Sequence, residues 1–187
     1  MTFQKNKSKL TLNPFPKESQ EGVWFKISSG RDHFNSAKKL MGSTFLLADG
    51  SQLKKNDGSI WLNPDHICSA LILFQFSFEL LLKALLQLKH VPAPKKGWDG
   101  HDLIKLLDMA SEYFPDLKLI EQENRNILSE LSSGFKDENG KHNSKLMGIK
   151  YGMYCISLPN HQDELLKSFL NIFQSIDNQI RIFCPQS

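Results

Sequence analysis

A chain of 187 residues fits one domain with an irregular arm, and 40% apolar residues with thirteen phenylalanines supply a full core. Twenty-three basic against twenty acidic residues leave +3, which permits an anionic partner without demanding one. Three widely spaced cysteines, Cys68, Cys155 and Cys184, fit buried thiols in a reducing cytoplasm better than a disulfide frame.

The base is nearly all lysine. The only arginines are Arg31, Arg125 and Arg181, and arginine is the usual choice for bidentate phosphate contacts. The Lys- and Asn-rich N-terminus has no apolar core segment of the kind a signal peptide needs.

In chain order, residues 1–22 read as an arm, because Pro14 and Pro16 bar a regular helix. Residues 23–187 read as one helical domain. Ser29 with Asp32 three positions on predicts a capping box for a first helix after Gly30. Phe34, Ala37, Met41, Phe45 and Ala48 then recur at helical spacing up to Asp49 and Gly50. Asn63 as N-cap and Pro64 in the first turn predict a second helix running to about Lys89, where Pro92, Pro94 and Gly97 forbid continuation.

That second helix is apolar nearly all round, so it reads as the centre of a bundle. Gln75, Glu79, Lys83 and Gln87 along it argue against a lipid environment, where a charge costs several kcal/mol. Asp99 with Asp102 predicts the cap of a short third helix, antiparallel to the second, carrying Leu103, Leu106, Leu107 and Ala110. Pro115 starts a fourth with Leu117, Ile120, Ile127, Leu128 and Leu131, ended by Ser133 and Gly134.

Residues 134–160 read as an irregular insertion. Asn160 with Asp163 then caps a last helix whose Leu166, Phe169, Phe173, Ile176, Ile180 and Phe183 step by threes and fours. That seam serves either to close the bundle or to pair with a second copy. The fold class is therefore all-α: an up-and-down bundle of about five helices.

The chemistry-bearing residues cluster around the second and third helices. Glu79 and Lys83 stand at i, i+4 and pair along the helix, or else ligate a polar group or meet His101 and Asp102 across the turn. Adjacent helical residues point about 100° apart, so His101 and Asp102 do not form a dyad with each other, and Asp102 suits a cap. The six histidines lack metal-ligand spacing, and no phosphate loop, nucleophile elbow or HExxH motif is present, so no metal or cofactor is expected. Lys95, Lys96 and Lys150 with Trp98, Tyr151 and Tyr154 offer either a basic aromatic groove for single strands or a solvated loop with anchoring rings.

The segments FELLLKALL (residues 78–86) and GHDLIKLL (residues 100–107) resemble the central helix pair of the HEPN family of helical-bundle domains. Helix order extends the likeness to roughly residues 30–184. The resemblance implies a bundle that dimerises, linked to RNA, nucleotides or a nucleotidyltransferase-like partner in toxin–antitoxin or defence settings; the cysteines and the charges of the second helix add the expectation of a cytoplasmic protein with no membrane association. Ribonucleases of the family carry an arginine, then a polar residue, with a histidine about four to six positions on; the histidine does acid–base work on the ribose 2′-hydroxyl and the arginine stabilises phosphate charge.

This sequence departs there. Arg31 has His33 two positions on, Arg181 has no following histidine, and Arg125-Asn126 is followed by Glu130 where a histidine is expected. Glu121, one turn before Arg125, offers that arginine an ordinary ion pair. The expectation is thus a binding domain using Glu79, Lys83, His101, Asp102, Lys150 and Tyr151, without catalysis. The alternative is a divergent metal-independent endoribonuclease using Arg125 with Glu130 or with His142.

Overall fold

The computed structural model describes residues 20–41, 64–94, 100–133 and 162–185. They form α1 (Gln20–Met41), α2 (Pro64–Leu88), α3 (Leu103–Ser111), a 3-10 turn (Pro115–Leu119), α4 (Gln122–Ser133) and α5 (Gln162–Phe183). No strand occurs among the described residues, and the all-α bundle expected from the sequence is what forms. Residues 134–160, with Lys150, Tyr151 and His142, lie outside the described residues, as do Asn63, Lys95, Lys96, Trp98, Asp99 and Asn160.

Helix α2 is the axle. Phe74, Phe78, Leu81, Leu82, Ala84, Leu85 and Leu86 are all fully buried, around more than half of the helix circumference. The stretch Ser69–Leu88 has the length and composition of a membrane span, and 67% of that window is buried inside this bundle by the other helices. The helix stops in a Schellman turn: His90 N–H donates to the Gln87 carbonyl at 2.9 Å and Val91 N–H to the Leu86 carbonyl at 2.9 Å. His90 occupies the left-handed position with φ 56°, where glycine is the usual residue.

Helix α1 lies antiparallel to α2, since Lys26 Nζ meets Gln87 Oε1 at 2.5 Å while Phe34 packs on Phe74 and Phe78. It begins ten residues before the predicted start and runs through Gly30. The capping box at Ser29 and Asp32 is therefore not a helix start; both residues are mid-helix. The reason is tertiary. A Cβ on Gly30 would stand 2.7 Å from Leu81 Cγ, and the Gly30 carbonyl accepts from Ser77 Oγ at 2.8 Å. The glycine lets two backbones approach, which outweighs its poor helix propensity of about 1 kcal/mol. The arm also gives up residues 20–22 to this helix. Phe45 and Ala48 lie outside the described residues.

Helix α5 closes the core. Phe169, Ile176 and Ile180 are fully buried, and Phe173 stacks on Phe34 with ring centroids 4.0 Å apart. The seam of the last helix is thus used within the chain for most of its length. Only at its end does it emerge, with Phe183 46% exposed and packed edge-on against Phe114. Phe169 sits beside Phe74 and Phe183 beneath Lys89, so α5 runs in the same sense as α2.

The third helix overturns the antiparallel expectation. His101, at its start, contacts Gln75 and Glu79 in the middle of α2, whereas Phe114, just past its end, lies under Lys89. Helix α3 therefore advances along α2 in the same direction, and Gly100, just before it, already stands beside Lys83 of α2. Loop length alone does not fix the direction of the helix that follows. Helix α4 is antiparallel to α3, with Leu103 N–H donating to Ser132 Oγ and Arg125 reaching Asp108. The fourth helix also splits. Pro115 opens only the 3-10 turn, which carries the buried Leu117, and α4 starts afresh at Gln122.

Candidate functional site

Three positions on α2, Gln75, Glu79 and Lys83, are four apart and so form one inclined polar row on a mostly apolar helix. The segment Gly100–His101–Asp102 lies across this row. Glu79 is the centre. Its Oε1 accepts from Lys83 Nζ at 2.6 Å and its Oε2 from His101 Nδ1 at 2.9 Å. With 8% of Glu79 exposed, an unpaired carboxylate here would cost several kcal/mol, and the two charge-assisted bonds answer that cost. One turn earlier, Gln75 Nε2 donates to the His101 carbonyl at 2.8 Å. Its Oε1 is buried without a hydrogen-bond partner. Gln75 was not expected as a member of the cluster, although its i, i+4 spacing to Glu79 was visible.

Gly100 is required by the same crossing. A Cβ there would stand 2.8 Å from the Pro94 carbonyl oxygen and 4.0 Å from Lys83 Nζ. The contact with the Pro94 backbone is too close for any side chain at this position. Asp102 is taken up locally: as the N-cap of α3, it accepts from Ile104 N–H at 3.0 Å and Lys105 N–H at 3.1 Å. Of the four predicted residues, Glu79, Lys83 and His101 come together, and Asp102 positions the helix that follows.

Chemically, a carboxylate on Nδ1 orients an imidazole with its other nitrogen turned away, as in acid–base catalysis. His101 is 42% exposed at its side chain, so the ring edge meets solvent. Phosphoryl chemistry also needs a cation for developing charge. The cation here, Lys83, is engaged with Glu79. Arg125 lies on α4 and pairs with Asp108 of α3, not with Glu121 as its spacing suggested; Glu121 supplies only a backbone carbonyl to Arg125 N–H. Arg125 and Glu130 stand five positions apart, about 140° around a helix, so the two do not converge. Among the described residues, no group of three or more His, Cys, Asp and Glu side chains is placed to hold a metal ion.

A second polar cluster joins α1 to α5. Asp177 Oδ1 accepts from Arg31 Nε at 2.7 Å and Oδ2 from Arg181 Nε at 2.7 Å. The 146 positions between Arg31 and Asp177 hide this contact from sequence reasoning. Its only local signals were the scarcity of arginine and the i, i+4 spacing of Asp177 and Arg181. No family model, curated protein or solved structure matches the chain.

Proposed function

We propose that the chain is a HEPN-like domain that works by binding a phosphate-bearing ligand, RNA or a nucleotide, and does not cleave it. The observation that carries the reading is the state of Glu79: both carboxylate oxygens are occupied, one by Lys83 and one by His101, in a nearly buried setting. Such a group is a latch between helices. Its burial and its two charge-assisted bonds make it a poor proton acceptor for a substrate hydroxyl, and it engages the nearest lysine. The excess of three positive charges is compatible with an anionic ligand.

In this reading the domain acts as a homodimer in a cytoplasmic toxin–antitoxin or defence setting, opposite a nucleotidyltransferase-like protein. The residues placed in the latch are structural supports for that role. Titrating a fluorescent RNA oligonucleotide and a fluorescent mononucleotide with the protein, and reading anisotropy, tests the proposal. Saturable binding of at least one probe, weakening with salt, is expected. No change with either probe at micromolar protein would overturn it.

A further inference from the structure

The large apolar side chains that reach the surface are not scattered. Of the five exposed among the described residues, four, namely Tyr113, Leu119, Ile182 and Phe183, lie along the seam where the end of α3 and the 3-10 turn meet the end of α5. Phe183 packs edge-on against Phe114, the residue after Tyr113. Gln179 Nε2 donates to Asp116 Oδ2 at 3.0 Å. Leu119 stands one 3-10 turn on from Asp116, and Ile182 one α-helical turn on from Gln179, so the two flank that bond. Leu119 is 78% exposed and Ile182 64%, so neither is used by the core. Single exposed apolar residues are ordinary on a surface, whereas several gathered on one seam mark an interaction site.

The charge along this seam restricts what can cover it. Residues 112–123 carry Glu112, Asp116, Glu121 and Glu123 against Lys118 alone, a net −3 on a chain whose total is +3. All four acids are exposed. The cations of the neighbouring helices are engaged: Arg181 pairs with Asp177, and Lys89 lies 4.0 Å over the Phe183 ring. Two copies of the chain pairing symmetrically through this seam would set −3 against −3, and a nucleic-acid phosphate would meet the same repulsion.

We infer that the seam docks a segment of another protein that presents apolar side chains flanked by lysine or arginine. Its apolar residues cover Leu119, Ile182 and Phe183, and its cations face Glu112, beside Tyr113, and Glu121, two positions after Leu119. This surface goes beyond the phosphate-bearing ligand, which needs the opposite charge, and does not depend on it.

The test titrates the full chain against three fluorescent probes read by anisotropy: an amphipathic leucine–lysine peptide, its leucine–glutamate counterpart and an RNA oligonucleotide. Leu119→Ser with Ile182→Ser removes apolar surface at constant charge, and both sites are exposed enough for the bundle to fold, which thermal melting checks. Glu112→Lys with Glu121→Lys reverses the charge, and Glu164→Lys, exposed near the start of α5, makes the same change elsewhere. The leucine–lysine peptide should bind saturably, about tenfold more weakly to each double variant and nearly unchanged to Glu164→Lys, and the leucine–glutamate peptide should not bind. No binding of the leucine–lysine peptide, or binding that survives the two serines, would overturn the inference. RNA binding that falls in the serine variant would assign the seam to nucleic acid, and a dimer by light scattering that dissociates in that variant would assign it to a second copy; either result also overturns it.

Discussion

Glu79 and His101, twenty-two positions apart, are joined through Oε2 and Nδ1 at 2.9 Å, and that bond sets the start of α3 against the middle of α2. It is a contact between a nearly buried acid and a partly exposed base. Removing His101 should therefore cost stability more than function. His101→Ala is expected to lower the unfolding free energy by about 1 kcal/mol, the exposed side of the ring reducing a larger buried value. A double-mutant cycle with Glu79→Gln should give a coupling of about 0.5–1 kcal/mol in urea unfolding. Additivity of the two variants would show that the bond does nothing for the fold.

Asp102 separates a cap from a catalytic acid. It accepts from two backbone N–H groups at the start of α3. Asp102→Ala should destabilise by about 1 kcal/mol, while Asp102→Asn, which can still accept, should cost only a few tenths. Equal losses for the two substitutions would contradict the capping role.

Gly30 tests the close approach of α1 and α2. Helix propensity favours alanine by about 1 kcal/mol, but the added Cβ meets the fully buried Leu81 at 2.7 Å. Overpacking of this kind costs about 1–3 kcal/mol, so packing wins and Gly30→Ala should shift the urea midpoint downward. An upward shift would mean that Leu81 has room to move.

His90 tests the end of α2 in the opposite direction. It holds φ 56° at the position after the helix where glycine carries no Cβ penalty. His90→Gly should stabilise the protein by about 0.5–1 kcal/mol, the left-handed strain being slightly larger than the chain entropy glycine adds. Loss of stability would show that the imidazole makes contacts worth more than that strain.

Much of the bundle was legible because its signals are local. Pro64 opens α2 and the proline-rich stretch after Leu88 closes it; Asp102 caps α3; the threes and fours of α5 mark the face that is buried. The failures are tertiary. Gly30 reads as a breaker until Leu81 is seen across from it, and α3 reads as antiparallel until His101 is seen beside Gln75 and Glu79 and Phe114 beside Lys89. At the candidate site, the Glu79–Lys83 pair follows from spacing, whereas His101 joining it depends on how the loop crosses. Arg125 choosing Asp108 over Glu121, and Arg31 meeting Asp177, required two separate helices to pack.

On the proposed reading this domain binds RNA and does not cleave it. The measurement that tests it most directly is the integrity of a labelled RNA incubated with stoichiometric protein in the presence of a metal chelator, with Arg125→Ala alongside. The RNA is expected to stay intact with both proteins. Cleavage by wild type that disappears in Arg125→Ala would contradict it and would make Arg125, now seen paired with Asp108, a catalytic residue.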